Sequence, residues 1–347
     1  MLKALMKLQE GPGHVALHEK PAPIAQKGEV LVKIMAAGIC GTDLKICAGQ
    51  TWSNPPVVLG HEVSGIICAL GEDVDGVQIG DRVVCETAQV ICGDCYYCHS
   101  GHYLMCDKRL SIGYGVDGGM AEYMVARKGI LHALPHTVSF SNGAVCEPLA
   151  VAVHAVYDTV PVKSTDIALV SGCGAIGLLV AQVVRSLGAR VIMTGLDVDI
   201  PRLQLAKTLG VEYTVNVETE NLQQRVKEVT DGMGVDLAYD CSGSATAIRG
   251  ALQSLKKRGQ MVQIGLTKPD LEIPYSLFTG RELRLFGTFG HNWVSWEQAL
   301  KLIATDKVKI SPLVTHHFLL DDWERAFAVA ENREGIKVML HPNGLTD

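Results

Sequence analysis

The stretch Gly172-Cys173-Gly174-Ala175-Ile176-Gly177 constrains the fold of this chain most, because of what flanks it. The run Asp166-Ile167-Ala168-Leu169-Val170-Ser171 before it reads as a buried parallel strand, and an apolar helix ending at Gly188 follows it. A lone G-x-G-x-x-G is weak evidence. Set between a strand and a helix, with a second strand Arg190-Val191-Ile192-Met193-Thr194 and with Asp197 twenty residues beyond Gly177, it reads as a dinucleotide-binding βαβ unit. Gly172, Gly174 and Gly177 permit a tight turn and close approach of a pyrophosphate. The helix N-terminus at Ala175 and Ile176 offers that anion unpaired N–H groups and the positive end of the dipole. Asp197 would accept hydrogen bonds from the adenosine ribose and repel a 2′-phosphate, so NAD is expected over NADP. Arg202 is the contrary feature, since an arginine near the ribose can pair with a 2′-phosphate.

The sheet continues through Tyr213 to Val217, Val235 to Cys241, Gln260 to Leu266 and Leu283 to Gly287, which makes six strands. Residues 288 to 347 add two helical patterns, Val294 to Thr305 and Asp321 to Ala330, and a last strand, Ile336 to Leu340. That exceeds what a doubly wound sheet requires, so the tail is expected to return to the first domain.

Residues 1 to about 140 have a different texture, with Gly, Pro and short β-branched runs such as Glu29-Val30-Leu31-Val32-Lys33-Ile34, Val63-Ser64-Gly65-Ile66-Ile67 and Asp81-Arg82-Val83-Val84-Cys85. They read as strands of a compact β-barrel-like domain. Within it, Cys92, Cys95, Cys98 and Cys106 are spaced 3, 3 and 8 apart, which suits a tetrahedral four-cysteine zinc shell. An iron–sulfur cluster also takes four cysteines, but its tight run expects a closer fourth cysteine followed by proline.

Two short stretches carry a second donor set: Cys40-Gly41-Thr42-Asp43 and Gly60-His61-Glu62. Cys40, His61 and a carboxylate match a catalytic zinc, which takes about three protein ligands and leaves a position open. Asp43 reads as the acceptor that fixes the His61 ring. The alternative is a buried cysteine and a surface histidine that never meet. From Ser141 to Val160 the pattern turns helical and contains Glu147-Pro148, where Glu147 is either a solvated helix-start residue or a ligand.

A formal net charge of -6 without blocks of like charge gives no footprint for nucleic acid or an anionic membrane. No run approaches the ~18 apolar residues of a membrane span, and Met1 to Lys7 lacks the apolar core of a secretory signal. A cytoplasmic location is expected, with the eleven cysteines as ligands and core residues.

These motifs, in this order, resemble the zinc-dependent medium-chain dehydrogenases, in particular the polyol and sorbitol dehydrogenase branch, with threonine dehydrogenase nearby. The resemblance spans essentially the whole chain. It implies an α/β protein with a GroES-like β-barrel catalytic domain (residues 1–150 and 289–347, the first part carrying the structural zinc lobe) split around a doubly wound Rossmann domain (151–288), with the active site in the cleft. It implies two zinc ions, NAD, a small-molecule alcohol substrate and a homotetramer. It promotes Glu147 to a residue near the catalytic zinc, binding directly or through water beside Glu62. Thr42 is placed like the hydroxyl that relays the alcohol proton; its structural alternative is a threonine capping the following helix. Further cofactor contacts are expected at Ile264, Gly265, Leu266, Thr288 and Phe289. Lys337 resembles the basic residue that reaches the pyrophosphate, an exposed strand lysine being the other reading.

The chain departs from polyol dehydrogenases at Lys45, Ile46, Gly290 and His291, where the family commonly carries His, an aromatic and an Arg-Tyr pair. A secondary alcohol other than sorbitol is therefore expected, with Lys45 and His291 as a replacement polar wall. The runner-up readings are an L-threonine 3-dehydrogenase-like oxidation of an amino alcohol and a non-catalytic zinc- and NAD-binding sensor. The intact set of Cys40, His61, Glu62 and Glu147 speaks against the sensor, and against the zinc-free quinone reductases of the same superfamily.

Overall fold

A computed structural model describes residues 1–268 and 270–345. The chain forms two compact units, one comprising Met1–Glu147, Asn292–Ala304 and Ile310–Asp347, the other Pro148–His291 and Thr305–Lys309.

In the first unit, Glu29–Gly38 is the central strand of a seven-stranded sheet. It pairs antiparallel with Glu62–Leu70, with Tyr123–Arg127 and with the last strand, Lys337–His341. Its pattern is mostly buried because it packs on both faces, with Val30, Val32, Ile34, Ile67, Val83 and Met124 in one core cluster. Three further strands, Leu2–Lys7, Val15–Lys20 and Val57–Val58, form a small antiparallel sheet. The tail adds one strand that alternation did not reveal. Val314–Leu319 pairs parallel with Lys337–His341, and the helix Trp323–Glu331 connects the two. Its partly exposed edge, with His316 and His317 adjacent, lacks the apolar period that marks a strand in sequence.

The second unit is a six-stranded parallel sheet in the order Tyr213–Asn216, Arg190–Gly195, Ile167–Ser171, Val235–Asp240, Leu255–Gln263, Arg284–Gly287. The order reverses beside Ile167–Ser171, which puts the switch point at the glycine turn. The helix Ala175–Ser186 is buried over most of its length, which explains its nearly unbroken apolar run. Thr305–Lys309 belongs to this unit rather than to the returning tail: the main chain of Lys309 donates to Gln182 Oε1 at 2.7 Å and accepts from Gln182 Nε2 at 3.3 Å. Among the described residues no helix is long and apolar enough to cross a membrane.

Candidate functional site

Cys40 follows the strand Glu29–Gly38 and is the N-cap of the seven-residue helix Gly41–Cys47. Thr42 is therefore the second helical residue and not the cap, which corrects one of its two sequence readings. Asp43 turns back to accept the Cys40 N–H at 2.9 Å through Oδ2. The strand Glu62–Leu70 runs antiparallel to Glu29–Gly38, with Gly38 opposite Glu62, so His61 and Glu62 arrive beside Cys40. Gly38 is required here, since a Cβ at that position would stand 2.3 Å from Glu62 Oε2.

The ligand atoms of Cys40, His61 and Glu62 lie within 4.8 Å of one another. His61 Nδ1 faces Asp43 Oδ1 at 3.6 Å, and both atoms are buried without a hydrogen-bond partner. A small movement of the ring closes that gap and leaves Nε2 as the metal donor, so these residues fit a zinc ion. Burial disfavours the charged imidazole, but interactions with Asp43 and Cys40 outweigh it and hold His61 well above its usual value. A cation between Cys40 and Glu62 would take the place of that proton.

Glu147, in the first turn of the helix Cys146–Tyr157, is 8% exposed, which corrects the solvated reading. Burial pushes its carboxyl up to about 7; His61 and Lys337 counter the shift while Glu62 and Asp43 reinforce it. Lys337 is 4% exposed and bonds to both carboxylate oxygens of Glu62, which removes the exposed-lysine reading. Burial lowers the Lys337 pKa, but the Glu62 charge outweighs it and the net shift is upward.

Sequence reasoning missed an aromatic wall. Tyr114 meets the His61 ring edge-on at 6.1 Å, and Trp52 meets Tyr114 edge-on at 6.5 Å. Trp52 is an exposed large apolar side chain. Its neighbours in sequence, Thr51, Ser53 and Asn54, carry no apolar period, so only the fold places it. Lys45 lies one turn beyond Thr42, half-buried and without a partner among the described residues. His291 is buried at the end of the second unit.

In the cysteine lobe, the Sγ atoms of Cys92 and Cys106 and of Cys95 and Cys98 are 3.6 Å apart, and those of Cys92 and Cys98 are 3.8 Å apart. Zn–S bonds of ~2.3 Å in a tetrahedron put sulfurs about 3.8 Å apart, whereas a disulfide needs about 2.05 Å. Main-chain N–H groups of Asp94 and Cys95 draw Cys92 down to about 6, while burial and the Cys95 thiol push Cys98 up to about 12. Four such sulfurs ionise together only around a cation, so the lobe fits a second zinc.

In the second unit, Gly172 has φ +94° and a Cβ on Gly177 would stand 1.9 Å from Gly172 O, so the fingerprint turn admits no side chain at either place. A Cβ on Gly174 would meet nothing within 4 Å, which leaves open space at the helix N-terminus for a pyrophosphate. Asp197 is exposed just past the strand Arg190–Gly195. Arg202 donates to Asp199 Oδ1 at 3.2 Å. Ile264 and Gly265 both donate main-chain N–H groups to Asp240 O at 2.9 Å, and Leu266 is exposed after them. Thr288 and Phe289 follow the strand Arg284–Gly287. All lie after the carboxyl ends of strands, where open α/β sheets bind ligands.

Residues 26–136 match the alcohol dehydrogenase GroES-like domain and residues 175–305 match the zinc-binding dehydrogenase domain. The chain is 40% identical to the sorbitol dehydrogenase of Halalkalibacterium halodurans, covering 98% of this chain and 99% of the relative. It is 37% identical to the D-arabitol-phosphate dehydrogenase of Enterococcus avium, covering 99% and 98%. The crystal structure of galactitol-1-phosphate dehydrogenase from Escherichia coli superposes with a TM-score of 0.89 at 29% identity, over 98% of this chain and 100% of that one. With both donor sets and the dinucleotide turn in place, these matches show that the chain belongs to the zinc-dependent medium-chain alcohol dehydrogenases, in their polyol branch.

Proposed function

We propose that the protein oxidises a secondary alcohol of a polyol, sugar-acid or sugar-phosphate substrate to the ketone, with NAD as hydride acceptor. The observation that carries the reading is the cluster of Cys40, His61 and Glu62 ligand atoms within 4.8 Å, backed by the unpartnered Asp43 and His61 atoms. Zinc held there supplies Lewis acidity that favours the ionised form of an alcohol near neutral pH. Asp43 orients the His61 ring. Lys337 balances the Glu62 charge and keeps that carboxylate in place. Glu147, with its carboxyl near neutrality, stands by as an exchanging ligand or through water.

Thr42 Oγ1 accepts the alcohol proton and hands its own on to water. Lys45 is then a recognition group, its unpaired ammonium suited to a carboxylate or phosphate on the substrate, and His291 adds a polar donor. The arabitol-phosphate and galactitol-1-phosphate dehydrogenases among the similar proteins support a phosphorylated polyol. The pyrophosphate is assigned to Gly172, Gly174, Ala175, Ile176 and Gly177, the ribose to Asp197, and the nicotinamide half to Ile264, Gly265, Leu266, Thr288 and Phe289. A cytoplasmic homotetramer is the assigned setting; eleven cysteines, none in a disulfide, suit a reducing compartment, and the oligomer number rests on the resemblance.

A panel of polyols, polyol phosphates, aldonates, threonine and simple diols, assayed by NADH formation, tests the reading. A phosphate or acid derivative is expected to lead, with Lys45→Ala lowering kcat/KM on it. Sorbitol as best substrate, or Lys45→Ala without effect, overturns the substrate assignment.

A further inference from the structure

We propose that Glu218 is a second determinant of cofactor choice, acting beside Asp197 to reject a ribose 2′-phosphate; the inference rests on the NAD reading above. The strands ending at Gly195 and Asn216 are parallel neighbours, so the loops after them meet. Glu218 Oε2 accepts the main-chain N–H of Asp197 at 2.6 Å. Asn216 locks the pair from both sides: its Nδ2 donates to Asp197 Oδ1 at 2.5 Å, and its Oδ1 accepts the Glu218 N–H at 3.1 Å. Two carboxylates therefore stand together at the position assigned to the adenosine ribose, both on exposed residues.

The nearby cations are occupied. Arg202 is paired with Asp199, their side chains only 15% and 10% exposed, and Arg225 is paired with Glu220 and Glu228. A 2′-phosphate arriving here meets two negative charges, while Arg202 and Arg225 among the described residues are already paired. A vicinal diol instead finds Asp197 as its acceptor. Beside the acidic pair, Leu196, Val198 and Val217 are exposed large apolar side chains, and Val217 N–H bonds to Gly195 O at 3.0 Å. That apolar surface suits a nucleobase, and it is a second feature that points to a nucleoside at this edge.

Glu218→Gln keeps an acceptor for the Asp197 N–H and removes only the charge. Dissociation constants of NADH and NADPH, read by fluorescence on the zinc-loaded protein, test the role without turnover. Glu218→Gln is expected to tighten NADPH about three- to tenfold, to leave NADH within about twofold, and to lose this effect as salt rises. Asp197→Ser is expected to weaken NADH and to tighten NADPH, and the double variant to bind NADPH better than either single one. If Glu218→Gln changes neither constant, or both equally, while Asp197→Ser shifts the preference, the inference fails and the NAD reading stands. If Asp197→Ser also leaves both constants unchanged, the ribose placement itself is overturned.

Discussion

The ammonium of Lys337 lies against both carboxylate oxygens of Glu62, 2.5 Å from Oε2, across 275 residues of chain. The pair joins the last strand to the strand that begins at Glu62, just after His61, and it is almost wholly out of water. Removing one partner of a buried pair leaves the other charge uncompensated. Lys337→Met is therefore expected to destabilise the metal-free protein by about 3 kcal/mol. Added zinc should restore part of that loss, because a cation on Glu62 balances the same charge. Urea midpoints with and without zinc check both parts. Equal midpoints for the variant and the parent would refute the role.

Asp43 contributes through His61 and not by binding metal itself. Asp43→Asn is expected to weaken the zinc at Cys40, His61 and Glu62 about ten- to a hundredfold, while the four-cysteine zinc stays bound. Chelator competition with a colorimetric zinc indicator separates the two ions. Simultaneous loss of both would assign Asp43 to folding instead.

Cys47 sits at the far end of the same helix as Cys40, and burial, reinforced by Asp43, pushes its thiol up to about 12. At pH 8 only about one molecule in ten thousand carries the thiolate, so iodoacetamide should leave Cys47 unlabelled in the native protein. Its labelling rate should climb about tenfold per pH unit through the alkaline range in which the fold persists. Peptide mass spectrometry gives the rate directly, and rapid labelling at pH 8 is the contrary result.

What the sequence revealed, and what it hid, follows from how locally each feature is encoded. The dinucleotide turn is legible because glycine, strand and helix are neighbours in the chain and each has its own period. The four-cysteine lobe is legible for the same reason, all its sulfurs falling within fifteen residues. Lys337 gave no sign that its charge is buried, because its partner is 275 residues away and a strand lysine is ordinarily solvated. Glu147 was ambiguous until Glu62, Asp43, His61 and Lys337 were seen around it. The strand Val314–Leu319 was hidden by its edge position, and Tyr114 beside His61 by a separation that no period spans.

Counting zinc in freshly purified protein together with NADH formation tests the assignment of a catalytic zinc to Cys40, His61 and Glu62 most directly. Two zinc ions per chain are expected, one for each donor cluster. Cys40→Ser should retain the ion of the four-cysteine lobe, lose the other and lose alcohol oxidation with it. A purified protein without zinc, or a Cys40→Ser variant that keeps full activity, would contradict the assignment.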